Sequence, residues 1–224
     1  MKICPLGDSA LVIDFADESS DADQLLALAL SRADAIERAA IPGVVDVTSA
    51  YQSVAIFFNQ SRVEGNIEER VRALIERTSA RPSGKARRIE IPVCYDDEFA
   101  LDLARVATRT SLTADAIIKL HLSTKYTVAC IGFIPGFPFF AGLSDKLRVP
   151  RLESPRTKVP AGSVAIANAQ AGIYPFESPG GWNVIGRTPL RLFRATENPP
   201  TLLRPGDRVR FRQISRAQFD TEQE

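Results

Sequence analysis

Between residues 131 and 190 the chain places 8 of its 15 prolines and 8 of its 13 glycines. Proline fixes φ and glycine opens φ > 0, so such a stretch prescribes its own backbone path. Interleaved with them are Phe133, Phe137, Phe139, Phe140, Tyr174, Phe176 and Trp182. A disordered linker does not carry aromatic residues at that density. The segment therefore reads as ordered loops joining short strands, with backbone amides and a few cations facing a cleft.

Upstream, residues 9–15 read as a strand and 21–40 as a helix that Asp21 or Asp23 caps and Pro42-Gly43 stops. Strands at 44–49 and 54–58 follow, then a second helix capped by Asn66. This β-α-β-β-α order, followed by a strand at 88–94, matches a ferredoxin-like split βαβ unit. The polar stretch 78–85, with Pro82 and Gly84, marks the expected domain boundary, giving domains 1–84 and 85–224. Two helices lead the second domain, one starting at Asp96 or Asp97 and one capped by Thr113 and carrying His121. Strands are expected at 125–131, 163–167, 182–185, 190–193 and 208–212, and the polar end 215–224 reads as frayed. Many short strands with Gly/Pro turns imply a closed or nearly closed β-barrel. The fold class is thus α+β, a small α/β domain followed by a barrel domain.

The net charge of +1 singles out no partner by itself, but its distribution is uneven. Residues 1–120 hold 14 Lys+Arg against 19 Asp+Glu, and residues 121–224 hold 14 against 8. A basic half favours an anionic ligand such as a phosphate or carboxylate. For Arg208, Arg210 and Arg212 scattered surface charge is the preferred reading. Three dispersed cysteines argue against a disulfide framework and for a reducing compartment. No signal peptide or membrane-length apolar run is visible, so a cytoplasmic protein with no membrane partner is expected.

The candidate chemistry lies in and just before the Gly/Pro-rich stretch. His121, the single histidine, suits proton transfer near neutrality; the plain alternative is a capping or packing histidine at a helix C-terminus. Arg151, Arg156, Lys158 and Arg187 stand among the prolines, where stiff loops could clamp a carboxylate or phosphate. For any one of them solvated loop charge is the simpler account, and proline flanking favours Arg156 and Arg187. Gly180 and Gly181 could offer backbone amides to an anion, or simply make a turn. Tyr174 and Trp182 could wall a pocket, Gln170 could offer an amide, and Ser178 is a weak nucleophile candidate. One histidine and dispersed cysteines leave no metal site of the His/Cys kind. Nothing matches a P-loop or a nucleic-acid-binding motif.

These residues also fall into long motifs. His121 with Tyr126, Ile131-Gly-Phe-x-Pro-Gly-Phe-Pro138, Pro150-Arg-x-x-x-Pro-Arg-x-x-Val-Pro-Ala-Gly-Ser163, Gly172-Ile-Tyr-Pro175 and Ser178-Pro-Gly-Gly-Trp-x-x-Ile-Gly-Arg-Thr-Pro189 resemble the family formed by the B component of bacterial 5-oxoprolinase. That family is also known as the first component of allophanate hydrolase or as a sporulation-kinase inhibitor, and it is similar to the C/D half of a carboxyltransferase domain. The likeness runs from Gly7 to Phe211. Phe139, Phe140 and Ala141 stand where the family has Tyr, Leu and Gly, and the segment Ala167 to Gly172 departs from its Gly-x-Gln-Thr-Gly.

The resemblance implies a ferredoxin-like domain and a cyclophilin-like barrel. It implies ATP-dependent opening of 5-oxo-L-proline to L-glutamate, in a chain inactive without its partners, the C and A components of 5-oxoprolinase. ATP is then the cofactor, with Mg2+ held mainly by the partner. His121, Arg156 and Lys158 would be catalytic; Arg151, Gln170, Tyr174, Ser178, Gly180, Gly181, Trp182 and Arg187 would bind substrate or phosphate. Two rival readings are a non-catalytic protein that inhibits a sensor histidine kinase, and a carboxyltransferase-type component of urea or allophanate metabolism.

Overall fold

The computed structural model describes residues 1–78 and 86–223. Residues 79–85, where most of the expected domain boundary falls, including Pro82 and Gly84, lie outside the described residues. The chain divides into two compact units, Met1–Lys85 and Ala86–Glu224.

In the first unit β1 (Lys2–Pro5) and β2 (Ala10–Asp14) form a hairpin, followed by α1 (Ala22–Arg38), β3 (Val44–Ala50), β4 (Ser53–Phe58) and α2 (Ile67–Arg77). The antiparallel sheet runs β1-β2-β4-β3. Asp21 caps α1 by accepting from the amides of Asp23 and Gln24, and Asn66 caps α2 in the same way. One stripe of each helix is buried. Leu25, Ala29, Ala33 and Ile36 of α1 and Val71 and Ile75 of α2 join Ile13, Val54 and Ile56 of the sheet in one core. This is the ferredoxin-like strand order, with β1 in the edge position expected for the strand at 88–94. The sequence pattern hides β1 because Pro5 and Gly7 break it, although a proline is tolerated at the end of an edge strand.

The second unit opens with β5 (Arg88–Val93), α3 (Leu103–Thr110) and α4 (Ala114–Ser123). Then come β6 (Tyr126–Ile131), β7 (Pro138–Ala141), β8 (Arg156–Val159), β9 (Ser163–Ala167), β10 (Gln170–Ile173), β11 (Ser178–Gly180), β12 (Asn183–Arg187) and β13 (Arg208–Gln213), and α5 (Arg216–Glu222) ends the unit. Seven strands form one sheet in the order β12-β9-β10-β7-β6-β13-β5. Its neighbours are antiparallel except the parallel pair β5/β13. The sheet curls until its ends meet: Cys94 donates to the Arg187 carbonyl at 2.8 Å and accepts from the Arg187 amide at 2.9 Å. That bridge closes the barrel and leaves few unpaired edges.

Alternation along β9 explains its uninterrupted apolar sequence. Val164 and Ile166 point into the barrel core with Val93, Tyr126, Val128, Phe140 and Phe211, while Ala165 and Ala167 join a second core of Phe137, Val159, Tyr174, Trp182 and Val184. The Gly/Pro-rich chain, including the small β8/β11 ribbon, therefore covers the outer face of β9 and β12. Val106 of α3 and Ile117 of α4 belong to the barrel core.

Three expectations for this unit change. Residues 190–193 contribute only an isolated bridge between Phe193 and Thr201, because Pro189 and the prolines at 199 and 200 interrupt any ladder. The helix expected to begin at residues 96–97 starts at Leu103, after a turn closed by the Phe99 and Ala100 amides on the Asp96 carbonyl. Of the end expected to be frayed, residues 215–223 are described and are not frayed: Ser215 and Gln218 form a capping box for α5, and Phe219 is buried against Phe99, ring centroids 4.5 Å apart. No helix among the described residues is long and apolar enough to cross a membrane.

Phe219→Ala should lower the unfolding free energy by about 3 kcal/mol, the usual cost of emptying a buried phenylalanine site. Urea denaturation measures this; a loss under about 0.5 kcal/mol would mean that α5 is not docked.

Candidate functional site

The site region is assembled around one buried carboxylate. Asp102 immediately precedes α3. Its Oδ1 and Oδ2 accept from the two terminal nitrogens of Arg156 at 2.7 and 2.9 Å, and Oδ2 also accepts from the Val184 amide at 2.7 Å. The Asp102 amide in turn donates to the Val184 carbonyl at 2.8 Å. One turn further along α3, Arg105 donates to the Asn183 side-chain oxygen. The Asn183 amide nitrogen donates to the carbonyls of Pro150 and Ile166 at 3.0 and 3.1 Å. Helix α3, ribbon β8, strand β12 and the loop at Pro150 are thereby tied together. A bidentate Arg–carboxylate pair is rigid and directional.

Above this tie lie several of the expected residues. Gly180 pairs with Arg156 in the β8/β11 ribbon. A Cβ on Gly180 would stand 2.2 Å from the Tyr174 hydroxyl, so only glycine lets that phenol approach. Burial raises the Tyr174 pKa, against the opposing effects of a backbone hydrogen bond at Trp182 and the charges of Arg151 and Arg156. The Gly181 carbonyl accepts from Leu152 at 2.7 Å. Trp182 is buried edge-on against Phe137 and Phe139, and Arg151 lies over its ring at 5.8 Å. Ser178 Oγ is buried without a hydrogen-bond partner. Arg151, Arg156, Tyr174, Gly180, Gly181 and Trp182 are thus brought together, with Ser178 on the adjoining ribbon.

The remaining candidates are elsewhere or already engaged. Lys158 pairs with Glu177 at 3.1 Å on the surface. Arg187 sits at the barrel-closing bridge, donates to the Ala161 carbonyl at 2.7 Å and lies over Phe99 and Phe219. Burial there lowers its pKa. Gln170 stands opposite Ala167 in the β9/β10 hairpin. Arg156 spends both terminal nitrogens on Asp102. Of the four loop cations, Arg151 and Arg187 have no ion-pair partner among the described residues, and only Arg151 is also free of a carbonyl contact there.

His121 lies on the other side of the sheet. It is fully buried in α4, stacked on Phe211 at 4.4 Å and next to Tyr126. The Tyr95 hydroxyl and His121 Nδ1 are 2.7 Å apart, and Nε2 has no partner. Burial raises the Tyr95 pKa well above its ordinary value, so the phenol keeps its proton, and the imidazole tautomer sets which of the two groups donates. Burial also lowers the His121 pKa to about 3, so the imidazole is neutral at physiological pH. The structure does not bring it to the loop cations.

Sequence reasoning missed Asp102, Arg105 and Asn183. Asp102 and Arg156 are 54 positions apart. The available signal is an acid and a base three residues apart in an otherwise apolar run, Leu101 to Val106.

Comparison with known proteins gives a consistent picture. The family described as carboxyltransferase domain, subdomain C and D, matches residues 1–203. A curated relative from Bacillus subtilis, named as the B component of 5-oxoprolinase, is 40% identical over 97% of this chain and 95% of its own length. The solved structure of TTHA0988 superposes with a TM-score of 0.81 at 37% identity, over 92% of this chain. This chain spans only 40% of that longer one. The Kluyveromyces lactis urea amidolyase shares the fold at a TM-score of 0.74 and 19% identity, over 98% of this chain and 15% of its own.

Two outcomes test this geometry. A double-mutant cycle between Asp102→Asn and Arg156→Gln should give a coupling energy above about 1 kcal/mol in denaturation experiments; additivity would mean the pair is not formed. The second concerns pH. With its folded pKa near 3 and an unfolded value near 6.5, His121 contributes its full stabilisation above pH 6.5 and loses it progressively as pH falls towards 3. The slope should approach about 1.4 kcal/mol per pH unit, and His121→Gln should flatten it. Equal slopes in both proteins would place the imidazole in contact with solvent.

Proposed function

Because the chain belongs to the carboxyltransferase subdomain C and D family, within the group that contains the B component of 5-oxoprolinase, we propose that it serves as that component of an ATP-dependent 5-oxoprolinase. The assembly would open 5-oxo-L-proline to L-glutamate. The observation that carries this reading is the 40% identity to the B. subtilis 5-oxoprolinase component across nearly the full length of both chains.

The site geometry favours a binding rim on this chain rather than a complete catalytic set. A lactam carbonyl is a poor electrophile, and ATP supplies activation by phosphorylating the amide oxygen. The loop residues do not fit a magnesium triphosphate. Arg156 and Lys158 are already ion-paired, Arg187 is held against aromatic rings, and among the described residues no three His, Cys, Asp or Glu side chains gather as metal ligands. The metal and the reacting phosphate are therefore left to the partners, the C and A components. What this chain offers is Arg151, whose guanidinium lies over Trp182 without an ion-pair partner among the described residues and can hold the substrate carboxylate, in a frame set by Asp102, Arg156 and Tyr174. Phe133 supports the need for a partner. It is 66% exposed at a φ of 68°, a strained backbone for a bulky residue, on the turn that leads to Phe137. A second polypeptide seated there would remove that ring from water.

Co-purification with the partner components and measurement of ATP turnover tests the assignment. Turnover should require 5-oxoproline, and turnover indifferent to it would end the substrate reading. Arg151→Gln should raise the KM for 5-oxoproline about tenfold or more with kcat nearly unchanged, the mark of lost ground-state binding. A fall in kcat at constant KM would remove Arg151 from carboxylate binding.

A further inference from the structure

Most cations of the Gly/Pro-rich loops are neutralised or shielded, whereas a separate group on the barrel's outer face is not. A cleft of about 520 Å³ opens over the first residues of β5, β13 and β6. Its charged lining is Arg88, Lys125, Arg208 and Arg210 against a single acid, Glu90. Glu90 is engaged by Arg212 at 2.8 Å. The neighbouring Asp207 is buried and taken by Arg87. Arg208 is steadied by a hydrogen bond to Thr127. Arg88, Lys125 and Arg210 have no ion-pair partner among the described residues.

The strand register sharpens this point. In the parallel pair β5/β13, Arg208 lies directly beside Arg88. Like charges side by side on one sheet face are destabilising. The one acid in register, Glu90 opposite Arg210, turns its carboxylate to Arg212 instead. The fold therefore carries a concentrated positive field in a concave site of ligand-binding size, where the lining acid is already engaged. The cleft lies at the opposite end of β5 from the Cys94–Arg187 bridge, away from the Asp102–Arg156 tie.

We propose that this cleft binds the phosphate chain of a polyphosphate-bearing small molecule, either a nucleoside triphosphate or inorganic polyphosphate. Three guanidinium groups and one ammonium suit several phosphate oxygens at once, and guanidinium forks match phosphate geometry. This site is distinct from the loop rim and does not depend on the 5-oxoprolinase reading, since its test measures binding and not turnover.

Titration calorimetry on the full chain, with ATP and with inorganic tripolyphosphate, provides that test. At low salt both should bind, and raising the salt to about 0.15 M should weaken both. Arg88→Gln combined with Arg210→Gln removes two side chains that make no ion pair among the described residues, and relieves the repulsion between Arg88 and Arg208, so the unliganded melting temperature should not fall. That double variant should bind both ligands about tenfold more weakly or worse. Similar affinities for the two ligands would show that the phosphate chain is what is recognised. Tighter ATP binding, lost in parallel in the variant, would add a contact to the nucleoside. Binding of neither ligand, binding of ATP alone, or affinities unaltered in the double variant would each overturn the proposal.

Discussion

Asp102 is the contact on which the outer layer of the barrel unit depends. Its carboxylate accepts three hydrogen bonds, two from Arg156 and one from the Val184 amide, and it is almost fully buried. A buried carboxylate is tolerated only when its lone pairs are occupied, so the three donors and the acid require one another. They come from β8, from β12 and from the approach to α3. Between these elements Phe137, Val159, Tyr174 and Trp182 form the second core. Removing the carboxylate would leave a half-buried guanidinium and an unpaired amide at the seam of two layers, and the Gly/Pro-rich chain would lose its anchor to the barrel.

The two-layer construction decides which residues can meet. Because β9 alternates between the inner and outer cores, it stands between His121 and Trp182. No rotamer change carries an imidazole through a hydrogen-bonded sheet. The outer layer gathers Arg151 with the buried Tyr174 and Trp182, while the inner layer holds His121 with Tyr95, Tyr126 and Phe211. A histidine without a partner for Nε2, kept neutral by burial, contributes to the core and to the pH dependence of stability.

Much of the fold is legible in the sequence where local rules govern. The caps Asp21, Asn66 and Thr113, the apolar stripes of α1 and α2, and the turn chemistry of the second unit all follow from neighbours a few residues apart. The barrel follows from the density of short strands. The misses share a different cause. Strand β1 depends on an edge vacancy created by β5 joining another sheet. Helix α5 depends on Phe219 finding Phe99, 120 positions away. In the site, the aromatic and glycine members are visible as composition, but Asp102 is not, because its partners are distant in sequence. An arginine between prolines looks available until the acid that neutralises it is known.

That last point bears on how charge is distributed in this chain. A cation that fixes structure cannot also serve as a freely available anion receptor, because its hydrogen bonds and its field are already committed. Arg156, Lys158 and Arg187 belong to that class, each committed to an acid or to a carbonyl and aromatic faces. Among the described residues Arg151, which lies over Trp182, has no acid or carbonyl partner, and Arg88, Lys125 and Arg210 have no ion-pair partner. The stiff loops thus use most of their positive charge to hold themselves in place, and the capacity to attract anions is moved to their rim and to the barrel's outer face.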